Sequence, residues 1–187
     1  MAAVMEILRE DHVNMGRVLD ILERQLVIFE RAGEPDYDLI KSIVEYCLDY
    51  PNLNHHPLED LICLHLRENG QRSAEIADKL VEEHRILAEL TRRFAVAVDH
   101  VLKNLEVPRG TFSEVVREFI DTYRTHMAME DKLFFPAALQ TLSAPAWAAI
   151  EARADAHRDP LQSRQAEARF KALRREIEAL HALAAQP

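Results

Sequence analysis

Glycine and cysteine are scarce in this chain of 187 residues, which contains four glycines and two cysteines. With so few glycines, a sequence rich in alanine, leucine, glutamate and arginine favours helix. The two cysteines, Cys47 and Cys63, cannot build a disulfide framework. This low cysteine usage indicates a reducing compartment, and we expect both side chains to be small core residues, with a redox role as the alternative.

Long apolar runs and an excess of positive charge are also missing. No apolar run approaches the roughly 20 residues of a transmembrane helix, and the N-terminus MAAVMEILREDH lacks a signal-peptide core. The formal net charge of -9 argues against a nucleic-acid surface and against binding to anionic membranes. We therefore expect a cytoplasmic protein with no nucleic-acid partner and no membrane partner.

Helix breakers divide the chain into four long segments. The candidate turns are AGEPD (32–36), RENGQ (67–71), EVPRG (106–110) and SAP (143–145). Short turns between long helices imply antiparallel neighbours, so the sequence predicts an all-α, up-down-up-down four-helix bundle over residues 1–142. Residues 143–187 are expected to form a C-terminal helical extension, packed on the bundle or in a homodimer contact. Its apolar face would carry Phe170, Leu173, Ile177 and Leu180.

Apolar residues recur along the segments in alternating steps of three and four, and each stripe contains polar intruders. The first stripe reads Met5, Leu8, His12, Met15, Leu19, Leu22, Leu26 and Phe29. The third contains Ala77, Leu80, His84, Leu87, Thr91, Phe94, Val98 and Val101. The fourth reads Phe112, Val116, Phe119, Tyr123, His126, Glu130, Leu133 and Ala137. The second is interrupted by Pro51 and Pro57 and ends on His55, Glu59, Ile62 and Leu66. Such stripes face a shared core, so four histidines and two glutamates should point inward.

These six polar residues are predicted to lie at one level of the bundle. Residues on antiparallel helices are level when the turn lies midway between them. The midpoints between successive polar positions fall inside AGEPD, inside RENGQ and at the start of EVPRG. The six side chains should therefore converge in one layer.

A metal site explains this layer better than six separate structural roles. A lone histidine in an apolar stripe is more often a core residue bonded to backbone, and one His-x-x-x-Glu pair can be a simple i,i+4 contact. Six buried ionisable groups without a cation would be very costly to desolvate. Imidazoles and carboxylates suit zinc, iron, manganese or copper. Two carboxylates can bridge two ions, which predicts a pair of metals with open positions for an exogenous ligand.

The motifs also repeat along the chain. REDH (9–12) and EEHR (82–85) each place acid before a lone histidine, and HHPLED (55–60) and HMAMED (126–131) share His-x-x-x-Glu-Asp. The lone histidine precedes its pair by 43 residues in the first half and by 42 in the second. A duplicated helical hairpin would explain this pattern.

The order His … His-x-x-x-Glu … His … His-x-x-x-Glu, over roughly residues 4 to 140, resembles the hemerythrin-like HHE cation-binding family. The resemblance implies a non-haem di-iron centre, with two iron ions bridged by an oxo or hydroxo group and two carboxylates. The ligand chemistry alone would also permit zinc or manganese. The implied metal ligands are His12, His55, Glu59, His84, His126 and Glu130. Glu59 and Glu130 would be the bridges; no catalytic side chain and no other cofactor is identified.

The chain departs from the oxygen-carrying hemerythrins, which have a fifth histidine one turn after the lone histidine of the third helix. Ala88 occupies that position here. The four-histidine, two-glutamate set instead resembles bacterial di-iron proteins linked to iron–sulfur cluster repair, nitric oxide and oxidative stress. The Cys-containing N-terminal domain often found in those proteins is not present in this sequence. A ferritin-like site would need two Glu-x-x-His pairs, and only Glu178 to His181 fits.

Three functions remain open from the sequence. The first is a di-iron protein that binds or reduces O₂, peroxide or nitric oxide in a stress response or in iron-centre maintenance; whether it is an enzyme stays open. The second is a non-enzymatic iron- or oxygen-sensing module or an iron store. The third is a structural bundle whose polar layer holds zinc or nothing.

Several neighbouring residues have two possible roles each. His56 lies about 100° around the helix from His55, and we expect a flanking surface histidine more than a spare ligand. Tyr123 is expected to fill core, although it could hydrogen-bond a metal-bound ligand. Asp60 and Asp131 could support ligand histidines or be solvated. Surface positions are expected for His65, His100, His157 and His181.

Overall fold

The computed structural model describes residues 3–103, 105, 107–154, 173 and 175–177. Within these residues, all regular secondary structure is helical and no strand is present. The helices in chain order are α1 (Ala3–Glu30), α2 (Tyr37–Tyr50), α3 (His56–Arg67), α4 (Gln71–Leu102), α5 (Arg109–Met129), α6 (Phe135–Thr141) and α7 (Ala144–Ala154). The prediction of an all-α fold is therefore confirmed.

Two π-helical turns explain why the described chain has more helices than the four predicted before residue 142. The first π turn, Pro51–His55, joins α2 to α3, and the second, Glu130–Phe134, joins α5 to α6. In each case the chain stays helical on both sides of the turn. The four long segments of the sequence are thus present, but two of them are interrupted.

Local sequence accounts for where the helices begin. Asp36 caps α2, because its side chain accepts a hydrogen bond from the backbone N–H of Leu39 at 2.9 Å. Gly70 precedes α4 with φ of 103°, a backbone conformation that glycine adopts without steric cost. Both residues lie in turns that the sequence predicted, AGEPD and RENGQ.

The apolar core has two parts, and the polar layer lies between them. The smaller cluster contains Val4, Met5, Leu8, Leu58, Ile62, Cys63, Leu66, Ala77, Leu80, Met129, Phe134, Phe135, Ala138, Leu142, Ile150 and Ala154. The larger cluster takes most of its residues from Met15–Phe29 of α1, from α2, from Leu87–Val98 of α4 and from Phe112–Met127 of α5. Along each long segment, the residues up to the region of its histidines belong to one cluster, and the residues beyond it belong to the other. The order of the two clusters along the chain alternates from one segment to the next.

The fourth stripe changes register at the second π turn, which the heptad pattern did not predict. Leu133 was expected to point inward, but it is 51% exposed, and Ala137 is only partly buried. Phe134 and Ala138, one residue further along, are completely buried instead. A π turn closes an i→i+5 hydrogen bond and so adds one residue to the turn. The apolar face after Glu130 is therefore displaced by one position.

The described part of the C-terminal extension packs on the rest of the chain. Ile150 and Ala154 of α7 belong to the smaller cluster, and Trp147 packs against it. Leu173 and Ile177 are buried in the larger cluster. The other members of the predicted stripe, Phe170 and Leu180, lie outside the described residues, as do His157 and His181.

No single helix of the described chain has the length and apolar character needed to cross a membrane. Among the described residues, Arg109–Thr141 and Ala144–Ala154 are long and apolar enough only when taken together, and they are bent by 119° relative to each other.

Candidate metal centre

Four helical segments bring the six predicted ligands into one layer. His12 comes from α1, His55 ends the first π turn, and Glu59 lies in the first turn of α3. His84 comes from the middle of α4, His126 from the last turn of α5, and Glu130 begins the second π turn. Both glutamates have no exposed surface, and the four histidines are largely buried.

All four histidines direct Nε2 toward the two glutamates. His12 Nε2 lies 3.0 Å from Glu130 Oε2, and His126 Nε2 lies 3.0 Å from Glu130 Oε1. His84 Nε2 lies between the carboxylates, 3.2 Å from Glu59 Oε2 and 3.6 Å from Glu130 Oε1. His55 Nε2 lies 3.5 Å from Glu59 Oε1. Each carboxylate is therefore shared between histidines of different helices.

While the rings are neutral, with the proton on Nδ1, these short approaches are not hydrogen bonds, because no proton lies between the facing atoms. The buried side-chain atoms without a hydrogen-bond partner in the described chain are His12 Nε2, both oxygens of Glu59, His84 Nε2, Tyr123 Oη, His126 Nε2 and both oxygens of Glu130. Buried polar atoms are nearly always paired, because an unpaired one costs about 1–3 kcal/mol. A cation among these nitrogen and oxygen lone pairs would satisfy them together.

The opposite ring nitrogens bind a second set of carboxylates. The Nδ1–H of His55 donates to Asp11 Oδ2 at 3.0 Å, and that of His126 donates to Glu83 Oε2 at 3.0 Å. The Nδ1–H of His12 donates to Asp131 Oδ1 at 3.2 Å. An ionised carboxylate can only accept, so the proton of each neutral ring lies on Nδ1. The lone pair is then on Nε2 and points to the centre of the layer, as in metal sites whose histidines are oriented by outer carboxylates.

Asp11 is the most enclosed of these outer carboxylates. Its side chain is 1% exposed, and its second oxygen accepts a hydrogen bond from the hydroxyl of Tyr50 at 2.9 Å. Glu83 is partly exposed, and its Oε1 lies 3.6 Å from Nζ of Lys79. Asp131 is half exposed. Sequence reasoning noticed acid before both lone histidines only as a repeated pattern, and it missed the roles of Asp11, Glu83 and Tyr50.

The charge state of the layer without a cation follows from these contacts. Burial opposes charging of His84, but hydrogen bonding and charge from Glu130 and Glu59 outweigh it and raise its pKa to about 9. Burial is likewise outweighed by neighbouring carboxylates at His12, His55 and His126, whose pKa values are raised. Burial alone would raise the pKa of Glu130, yet the facing histidines hold it well below its usual range. Protons thus take the place that a cation would hold, and metal binding would release them.

His56 is not the surface histidine that the sequence suggested. It is 9% exposed, and its ring stacks on His84 with centroids 3.9 Å apart and planes 19° apart. Burial holds the pKa of His56 well below the usual range, and the positive charges of neighbouring histidines, above all His84, lower it further. The ring is therefore neutral at pH 7. The position of His56 directly after His55 could have indicated its burial in the sequence, because the buried face of the helix is wide enough for both side chains.

The other nearby residues behave largely as predicted. Tyr123 is buried in the larger cluster, and burial raises the pKa of Cys47 to about 12, as expected of an inert core thiol. Cys63 is buried in the smaller cluster. His100 is exposed and His65 is partly exposed. Asp60 is exposed, whereas its counterpart Asp131 contacts His12.

The donor atoms form two groups, each with its atoms within 4.8 Å of one another. One group consists of His12, His55, Glu59 and Glu130, and the other consists of His56, His84 and His126. Imidazole and carboxylate donors without a thiolate suit iron, manganese or zinc. The residues present therefore fit a metal centre.

Comparison with known proteins agrees with this chemistry. The family model for the hemerythrin HHE cation-binding domain matches residues 3–138, which include every residue of the polar layer. No curated protein and no solved structure matches the chain. The family match covers most of the sequence, so the chain belongs to the hemerythrin HHE cation-binding domain family.

Proposed function

We propose that this protein holds two iron ions at Glu59 and Glu130 and uses them to bind or reduce O₂, peroxide or nitric oxide. The role would be a stress response or the maintenance of iron centres. The observation that carries the proposal is the set of buried Nε2 and carboxylate atoms that face one another without a hydrogen bond. Such a layer is costly when empty and becomes favourable when cations occupy it.

Two ions account for the donors better than one. Six predicted ligands exceed what one structural metal needs, and the donor atoms separate into two groups. Both oxygens of Glu130 face histidines of different helices, at 3.0 Å from His12 and 3.0 Å from His126. The oxygens of Glu59 face His55 and His84 in the same way. Each carboxylate is thus placed to bridge two ions.

The protein residues would hold and orient the metals, and the iron would supply the redox chemistry. The outer carboxylates Asp11, Glu83 and Asp131 fix three imidazole rings through Nδ1. Apolar clusters on both sides of the layer limit access of water. Iron is favoured over zinc because the hemerythrin family is typically an iron-binding one.

Tyr123 supports a small exogenous ligand. Its buried hydroxyl has no hydrogen-bond partner among the described residues, and its ring centroid lies 6.3 Å from that of His126. A peroxide or diatomic ligand at the centre would provide an acceptor for this O–H. Larger substrates would need space that the two apolar clusters fill.

The finer architecture belongs to the same proposal. We propose the up-down-up-down four-helix bundle over residues 1–142, supported by the alternating passage of the segments between the two clusters. Residues 143–187 would be its extension, and the low cysteine content favours a cytoplasmic location. A homodimer contact through the extension stays a prediction.

A non-enzymatic role is the alternative: an iron or oxygen sensor, or an iron store. It is favoured by the energetic coupling of the layer to the fold, because a cation that relieves unpaired buried groups also stabilises the folded chain. Turnover separates the two functions. Catalytic consumption of peroxide or nitric oxide supports the enzyme, whereas iron loading that stabilises the protein without turnover supports the sensor or store.

The direct test is the metal content and visible spectrum of freshly purified protein. Two iron ions per chain and a coloured protein are expected, and a colourless protein that holds zinc or no metal would contradict the proposal. His84→Ala should lower the iron content because its Nε2 faces both carboxylates. The matched control is His65→Ala, because His65 is partly exposed on α3 and lies outside the layer.

A further inference from the structure

We propose that His56 is a metal ligand and supplies the third imidazole of the ion held by His84 and His126. The inference rests on the proposed two-metal centre and adds a residue to it. It makes the two ions chemically different, since the other ion has imidazoles only from His12 and His55.

The position of His56 provides the first argument. Its ring stacks on His84 at 3.9 Å between centroids and stands nearly perpendicular to that of His126, at 6.2 Å and 87°. The rings of His84 and His126 are themselves 5.1 Å apart and 74° inclined. One nitrogen from each of the three residues lies within 4.8 Å of the others. The three imidazole nitrogens are therefore close enough to share one cation.

The helix geometry explains how two adjacent histidines serve different ions. Successive residues of a helix point about 100° apart, so His55 and His56 face different neighbours. His55 faces α1, where it bonds Asp11 and lies 5.1 Å from His12 between ring centroids. His56 faces α4 and α5. Glu59 follows His55 by four residues and His56 by three, so its carboxylate is on the face between them.

Two other positions at which a histidine could supply this imidazole hold different residues. Position 88, one turn after His84 on the same face of α4, is alanine. The residue that follows His126, equivalent to His56 in the repeated motif, is Met127, which packs in the larger cluster. Among the described residues, His56 is therefore the histidine that completes the group around His84 and His126.

The donor sets of the two ions would then differ. Glu59 and Glu130 would be shared, so the ion at His56 would have three imidazoles and the ion at His12 and His55 would have two.

A ring that only packs would give the same burial, so the test must separate the nitrogen from the ring. His56→Phe keeps an aromatic ring against His84 and removes the nitrogen donor. The double variant His56→Phe/Ala88→His restores an imidazole beside His84 from α4. His65→Phe is the matched control, because His65 lies on the same helix outside the layer. Circular dichroism checks that each chain folds, and His56→Gln replaces the phenylalanine variant if the latter does not.

Anaerobic equilibrium dialysis against ferrous ion measures affinity, and X-ray absorption at the iron edge counts imidazoles per iron. The second equivalent of iron should bind at least about tenfold more weakly in His56→Phe, with fewer imidazoles per iron, because even the loss of an outer-shell partner costs about 10–100-fold in affinity. The Ala88→His change should restore both, and the control should match wild type. Equal affinity and equal imidazole count in His56→Phe and wild type would overturn the inference alone. A wild-type protein without bound iron would overturn the proposed function as well.

Discussion

The two halves of the polar layer follow one plan. Each has a lone histidine on a long uninterrupted helix, then a His-x-x-x-Glu pair at a π turn. In each half the acid before the lone histidine holds the histidine of the pair: Asp11 bonds His55, and Glu83 bonds His126. The repeated acid of REDH and EEHR is thus part of the site, because a metal-binding imidazole needs a partner that fixes its tautomer.

The halves differ around the lone histidines. Asp131, which follows Glu130, bonds His12, but Asp60, which follows Glu59, is exposed and leaves His84 to stack on His56. The outer carboxylates also differ in burial, with Asp11 enclosed and Glu83 partly exposed. Each half supplies one of the two proposed bridging glutamates, whereas the proposed terminal donors differ between the halves. Variants at equivalent positions can therefore measure which features the repeat preserves.

The largest effect is expected at Glu59 and Glu130, the proposed bridging residues. Glu130→Ala and Glu59→Ala should each remove most bound iron, with the greater loss for Glu130 because its oxygens face three histidines. Loss of the carboxylate also leaves charged histidines buried, which should destabilise the metal-free protein by about 3–5 kcal/mol. Iron analysis and urea unfolding measure the two effects.

Glu118→Ala is the control for the bridge variants, because Glu118 forms a half-exposed ion pair with Arg93. Its unfolding free energy should change by no more than about 1 kcal/mol. Bridge variants that keep two iron ions per chain would show that the glutamates are structural.

The protonated layer predicts a pH dependence of the metal-free protein. The pKa of His84 is about 9 when folded and 6.5 as a free side chain, so its stabilising contribution is complete below pH 6.5 and is lost as pH rises through 9. The raised pKa values of His12, His55 and His126 act in the same direction. The urea midpoint of metal-free protein should fall between pH 6.5 and 9.

Iron-loaded protein should keep its midpoint over the same range, since its imidazoles have no such proton to lose. His84→Ala should flatten the curve of the metal-free chain. A metal-free protein that is equally stable at pH 6.5 and pH 9 would contradict the assigned charge state.

The sequence could predict that the six residues share one layer. A heptad stripe indicates which side chains face a common core, and the turn positions indicate their level along the bundle axis. The prediction failed where one residue changed the helix geometry. After the second π turn, Phe134 lies in the core and Leu133 is exposed. The extra residue of a π turn cannot be predicted from the spacing of apolar residues. The prediction also treated the inward face as one residue wide, which is why His56 was placed on the surface.

The outer carboxylates should show a smaller difference between the halves. Asp11→Asn and Glu83→Gln are each expected to weaken iron binding about 10–100-fold. Asp11 should lie at the upper end, because it is buried and also accepts from Tyr50. Ferrous ion titration provides the measurement, with Asn14→Ala as a control for a nearby polar change on α1. Equal, negligible losses would mean that ring orientation comes from packing.

The smallest effect is expected at the aspartates that follow the bridges. Asp131→Asn should weaken iron binding only slightly, within about tenfold, because Asp131 is half exposed although it orients His12. Asp60→Asn should leave the affinity unchanged, since Asp60 is exposed. A larger loss for Asp60 than for Asp131 in the same titration would reverse the proposed asymmetry.

The central claim is that imidazoles and carboxylates from four helical segments hold a pair of ions in one layer. The most direct test is anomalous diffraction at the iron edge from crystals of the iron-loaded protein. Two peaks should appear beside the carboxylates of Glu59 and Glu130, one near His12 and His55 and one near His84 and His126. A single peak, or peaks remote from these residues, would contradict the account.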